Sequence, residues 1–88
     1  FADYKACMAR RGFPLEKRLH CHGQGYENVE RPLIRNDETM SIAANMNIGI
    51  HPVIGNARVA ATICDNFLTR ADGSTERLHQ TPQKVFEL

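Results

Sequence analysis

Between Met46 and His51 the side chains alternate, with Met46, Ile48 and Ile50 apolar, Asn47 and His51 polar, and Gly49 bare. A period of two belongs to a strand, because successive side chains point to opposite sides of a sheet. The segment is therefore read as a half-buried strand whose second face is polar. Pro52 to Arg58, with Gly55-Asn56 inside, reads as a turn. Val59 to Thr69 carries the β-branched Val59, Thr62 and Ile63 and reads as a second strand. With a tight turn near Ala57-Arg58, facing residues share one numerical total, and His51 with Cys64 is one such pair. Directly opposed Cβ atoms lie roughly 4.5 to 5.5 Å apart, near enough for one ion to bridge an imidazole and a thiolate.

The flanking segments are less regular. Phe1, Tyr4, Cys7 and Met8 fall at helical spacing, with Asp3 early, Arg10 and Arg11 late and Gly12 as a stop, which predicts a helix over residues 1–11. Pro14 forbids its continuation. From Leu15 to Asn45 the periodicity is poor, and Gly23, Gly25, Pro32 and Asn36-Asp37 punctuate it, so loop with one or two short strands is expected. Ala71-Asp72-Gly73 reads as a tight turn into a third strand over Thr75 to His79, which Thr81-Pro82 ends. The resulting fold class is α+β, one helix followed by an antiparallel meander.

Size and composition narrow the classes of function. A chain of 88 residues buries only a little over about 60% of its unfolded surface, so its stability is marginal without metal, disulfide or partner. Apolar residues at 42% and charged residues at 24% suit a globular protein rather than a disordered tail. Eleven Lys and Arg against ten Asp and Glu give a net charge of +1, which argues against a nucleic-acid partner. The basic lean of Lys5, Arg10, Arg11, Lys17 and Arg18 reads as charge complementing a helix C-terminus. No apolar run approaches the roughly 18 residues of a membrane-spanning helix, so no membrane partner is expected. The three cysteines, Cys7, Cys21 and Cys64, are odd in number and form no CxxC pair, which points to a reducing cytoplasm rather than a disulfide framework. The opening Phe1-Ala2-Asp3-Tyr4-Lys5 has neither an initiator methionine nor the form of a signal peptide, and the chain is expected to begin inside a longer protein or after a cut.

The densest chemical feature is His20-Cys21-His22-Gly23-Gln24-Gly25. Glycines around one residue let the backbone turn sharply and approach a ligand, and the preceding histidine offers a ring nitrogen to a metal or a proton. Together with His51 and Cys64, His22 would complete a His2Cys set, which suits zinc with a fourth position for water. An ordinary reading stands beside this one: two strand histidines sharing a face, a polar residue before a proline, and a small buried thiol. Glu27, Glu30 and Glu38 lie in or beside loops, where carboxylates are usually solvated but serve as acid or base in a pocket. Asp65 reads as a salt-bridge or turn residue, Asp72 as part of a turn, and His79 as the cap of a strand edge.

Four segments in order resemble one enzyme family. His22-Gly23-Gln24-Gly25 followed by Glu30-Arg31-Pro32, the strand Met46 to Ile54, Ile63-Cys64-Asp65-Asn66-Phe67-Leu68, and the hairpin Thr69 to Leu78 are similar to successive motifs of the pita-bread enzymes, which include methionine aminopeptidase, aminopeptidase P, prolidase and creatinase. The resemblance implies that residues 1–88 are the C-terminal portion of a pita-bread catalytic domain, with two Asp metal ligands in a part preceding Phe1. It implies an Xaa-Pro dipeptidase- or aminopeptidase-like hydrolase acting on peptides or small amides, inactive as an isolated piece. By correspondence His22 falls on the metal-binding histidine and is the catalytic candidate, while His51 and Cys64 stand where two ligand glutamates belong. Val29 replaces a histidine that contacts the scissile carbonyl, which leaves Glu30 and His51 as expected substrate contacts. The implied cofactor is one divalent metal of the zinc, manganese, iron or cobalt class, or none. The implied partners are a peptide or small-molecule substrate and either the remainder of the parent chain or a second copy in a homodimer. Two other readings remain, a catalytically dead peptide- or protein-binding module and a small mononuclear metal-binding domain.

Overall fold

A nine-residue helix, α1 (Ala2–Arg10), opens the chain, and Gly12 closes it at φ 71°. The Phe13 N–H donates to the Met8 carbonyl at 3.0 Å and the Gly12 N–H to Ala9 at 3.1 Å, a pairing that satisfies two terminal carbonyls and needs a left-handed residue at the stop. The computed structural model describes all 88 residues. Met8 is the buried residue of α1, and Tyr4 stacks on His20 with ring centroids 4.0 Å apart. These contacts tie the helix to the start of the sheet.

Seven strands follow: β1 (Cys21–Gly23), β2 (Glu30–Leu33), β3 (Asn47–Ile50), β4 (Val53–Gly55), β5 (Ala60–Thr62), β6 (Asp65–Thr69) and β7 (Thr75–Arg77). Five form one antiparallel sheet in the order β2-β1-β3-β6-β7, and β4 and β5 form a separate two-stranded ribbon. The expected α+β fold, a pita-bread fragment of one helix followed by a meander, is overturned by this arrangement. The molecule is mostly β, and β1 lies between β2 and β3, so the first three strands do not run as a meander. Pro32 supplies a physical reason, because a strand that lacks an N–H is confined to an edge, where β2 is found.

The long hairpin keeps one register through a break. Ile50 faces Asp65 in the sheet, Val53 faces Thr62 in the ribbon, and both pairs share the total that sets His51 against Cys64. Two residues on each side lie between the ladders, His51-Pro52 and Ile63-Cys64, and Pro52 cannot donate to a ladder. The predicted strand over Val59 to Thr69 is thus split in two, and the predicted turn over Pro52 to Arg58 contracts to its tip. There the Asn56 side-chain oxygen accepts from the Arg58 and Val59 N–H groups at 2.8 and 3.1 Å. At the other end of β6, the buried Thr69 hydroxyl donates to the Ala43 carbonyl and accepts from the Met46 N–H at 2.9 Å, fixing the approach to β3.

The core is small. Met8 and Ile48 are the buried apolar side chains besides Pro32, whereas Ile54, Val59, Ile63, Val85 and Phe86 are exposed. The accessible surface is 7025 Å², against about 5,200 Å² for a folded monomer of this mass. The radius of gyration is 14.2 Å, where about 12 Å is usual for this length.

Candidate functional site

The register assembles a polar face. His22 pairs with Gly49, and Gly49 pairs with Asn66, so these three form a row across β1, β3 and β6. On one side of the row the Gln24 N–H donates to the Asn47 carbonyl, and on the other the His51 N–H donates to the His20 carbonyl at 2.7 Å. Side chains two apart on a strand share a face, which places His20, His22 and Gln24 beside Asn47, Gly49 and His51.

Asn66 is the hub of the face. Its amide nitrogen donates to Gln24 Oε1 at 2.7 Å and to Asn47 Oδ1 at 3.0 Å, and its Oδ1 lies 3.0 Å from His79 Nε2. Gly49 forms the floor, since a Cβ built there would sit 3.4 Å from Gln24 Oε1, 3.5 Å from His22 Cε1 and 3.6 Å from Asn66 Nδ2.

The His22 ring is buried, and its Nδ1 lies 2.8 Å from the Gly23 carbonyl. A carbonyl only accepts, so Nδ1 carries the proton and the neutral ring keeps its lone pair on Nε2. His51 is its neighbour, with ring centroids 4.9 Å apart. His20 is buried on the α1 side, and burial pushes its pKa below the ordinary histidine value.

The expected metal set is not assembled. His22 and His51 are together, but no three His, Cys, Asp or Glu side chains form a group able to hold a metal ion. Cys64 is exposed, and it lines a separate cavity of about 500 Å³ with Asp65, Arg77 and His79. The residues present therefore do not fit the divalent metal that the resemblance implies. Glu30 is not aimed at the face either. Its carboxylate accepts from the Glu27 N–H at 2.7 Å and covers Gly25, where a Cβ would meet its Oε2 at 2.6 Å. Its role is to close the loop between β1 and β2. Gly23 is needed at that junction, because a Cβ there would lie 2.5 Å from the Arg31 carbonyl oxygen.

Two other carboxylates hold structure. Glu38 is tied to Arg31 and accepts from the Leu33 and Met40 N–H groups, and these bonds, Arg31 foremost, hold its pKa down to about 2. Burial pushes Asp65 upward, but hydrogen bonds from Gln83 and Arg77 more than cancel it and leave its pKa below the ordinary value.

Gln24, Asn47, Asn66 and His79 were not singled out as site residues by sequence. The polar second face of β3 was the available signal, and the hairpin register that pairs His51 with Cys64 also pairs Gly49 with Asn66. His79 offered none, since it lies beyond the end of β7. Among known proteins no family model, no curated protein and no solved structure matches this chain.

Proposed function

We propose that the polar face is part of the substrate site of a hydrolase acting on peptides or small amides, with His22 as its proton-carrying group. The observation that carries this reading is the His22 ring, buried, oriented through Nδ1 by the Gly23 carbonyl and leaving Nε2 as the acceptor beside His51. An imidazole held in one tautomer is suited to proton transfer. Gln24, Asn47 and Asn66 supply amide donors and acceptors of the kind that recognise an amide substrate, above a floor that Gly49 leaves open. The resemblance of His22-Gly23-Gln24-Gly25 to the Xaa-Pro peptidases and creatinase supports the same substrate class. No step of the reading runs through a metal.

The surface beyond the monomer expectation and the exposed Ile54, Val59 and Ile63 support a polypeptide partner, either the remainder of a longer chain or a second copy. The three free thiols support a reducing compartment. No helix is long and apolar enough to cross a membrane.

The test is a titration of the isotope-labelled chain with an Xaa-Pro dipeptide and with creatine, followed by turnover assays. Shifts focused on His22, Gly49 and Asn66 that vanish in His22→Ala are the expected result. Shifts scattered over the surface and indifferent to His22→Ala would remove the reading.

A further inference from the structure

The free strand edges differ in how they are guarded. The outer strand β2 carries Glu30, Arg31 and Pro32, and the outer strand β7 carries Glu76 and Arg77, charges and a proline of the kind that blunt an edge against further pairing. The outer flank of β4 is occupied, since the Val53 N–H donates to Glu16 Oε2 at 3.1 Å. β5 has none of these guards. The run Val59-Ala60-Ala61-Thr62-Ile63-Cys64 holds no charge, proline or glycine, and every residue of β5 is exposed.

The hairpin fixes which backbone groups β5 presents. At the tip the Asn56 N–H donates to the Val59 carbonyl at 2.8 Å, and bonded pairs alternate with open ones along an antiparallel ladder. Ile54 and Ala61 therefore bond each other, while Ala60 and Thr62, opposite Gly55 and Val53, turn their N–H and C=O groups outward, where no strand pairs with them. The Val53 N–H that Glu16 takes points outward by the same alternation. Val59, Ala61 and Ile63 share one face with Ile54, and Ile54, Val59 and Ile63 are exposed.

We infer that β5 pairs antiparallel with β5 of a second copy of this chain, about a two-fold axis at Ala61, to give a continuous β4-β5-β5-β4 sheet. The inference rests on the reading that this ribbon meets a polypeptide partner, and it selects the second copy because the segment is complementary to itself. Ala60 and the partner's Thr62 exchange both backbone bonds, Val59 packs on the partner's Ile63, and Ala61 meets the partner's Ala61. Arg58, which flanks the segment, falls opposite the partner's Cys64, so no like charges meet. The surface of 7025 Å² exceeds the monomer expectation of about 5,200 Å² by more than the roughly 800 Å² that each partner buries in a stable interface. With the β4 flank held by Glu16, the pairing closes at two copies.

The probe is the full chain itself. Sedimentation equilibrium is expected to show the mass rising from 9.9 kDa to twice that value with concentration, while hydrogen exchange at the Ala60 and Thr62 amides slows by at least about tenfold as the dimer forms. Ala61→Lys sets like charges against each other at the axis and is expected to be monomeric, as is Ala61→Glu, and an equal mixture of the two restores the dimer. The wild-type exchange needs no variant, so a misfolded mutant does not shield the inference. A wild-type chain that stays monomeric up to about 1 mM overturns it and leaves the remainder of a longer chain as the partner. Fibres, a dimer whose Ala60 and Thr62 amides exchange freely, or a folded Ala61→Lys that still dimerises overturn it as well. None of these readouts passes through the His22 face, whose dipeptide titration stands or falls separately.

Discussion

Gly49 is the direct cross-strand partner of His22, and it presents no side chain to the ring across from it. Gly23, one residue after His22, is bare for a different reason, because the Arg31 backbone occupies the place of its Cβ. The two glycines therefore respond differently to substitution. Gly49→Ala makes only ordinary contacts at 3.4 Å and beyond, and its stability is expected within about 1 kcal/mol of wild type, while occupation of the floor weakens binding of an amide ligand. Gly23→Ala forces β1 and β2 apart and is expected to lose about 1–3 kcal/mol. Urea melts of both variants, paired with the dipeptide titration, separate the two effects.

Glu38 links stability to strong acid. Its folded pKa of about 2 lies below the ordinary 4.5, so the folded state prefers the carboxylate. That contribution is complete above about 4.5 and is lost as pH falls through the folded value. Glu38→Gln is expected to be less stable at neutral pH and to show a flatter acid limb. A melting series from pH 5 to about 2 reads this directly, and an unchanged slope in Glu38→Gln would contradict the assignment.

His20 acts higher on the pH scale. Burial lowers its folded pKa from 6.5, so the unfolded chain takes up the proton first. Its contribution is complete above the unfolded value and declines as pH falls below it. His20→Phe, which keeps an aromatic partner for Tyr4 and cannot titrate, is expected to abolish the loss of stability that sets in as pH falls below the ordinary histidine value of 6.5, as measured by tyrosine fluorescence during denaturation.

Metal removal tests the donor geometry. Since no three suitable side chains are gathered, dialysis against a chelator is expected to leave the melting temperature unchanged, and added zinc is expected not to raise it. A chelator-dependent fall would mean that His22, His51 and Cys64 close on an ion in solution.

The hairpin was the most legible part of the sequence. Alternation over Met46 to His51 identified β3, Gly12 ended the helix, and the Ala71-Asp72-Gly73 turn led into β7. Strand order was not legible, because local pattern carries no information on which edge of β1 receives β3. The hydrogen bonds converging on Asn66 were hidden for a related reason. They join residues far apart in the chain, and an asparagine looks the same in a sequence whether it meets solvent or three partners. Glu30 was expected as a substrate contact through the resemblance of Glu30-Arg31-Pro32, and the bond its carboxylate accepts from the Glu27 N–H was not legible, since a loop-closing carboxylate looks locally like a solvated one.

The unbroken register from the sheet into the ribbon makes the tip at Asn56–Val59 the origin of a ruler. Counting outward from it assigns every residue of the hairpin a partner, down to Gly49 against Asn66. One residue inserted at the tip would shift each count by one and turn one strand's side chains to the other face. The spacing of a solvent-exposed loop thereby acts as the reading frame for a site that it never touches.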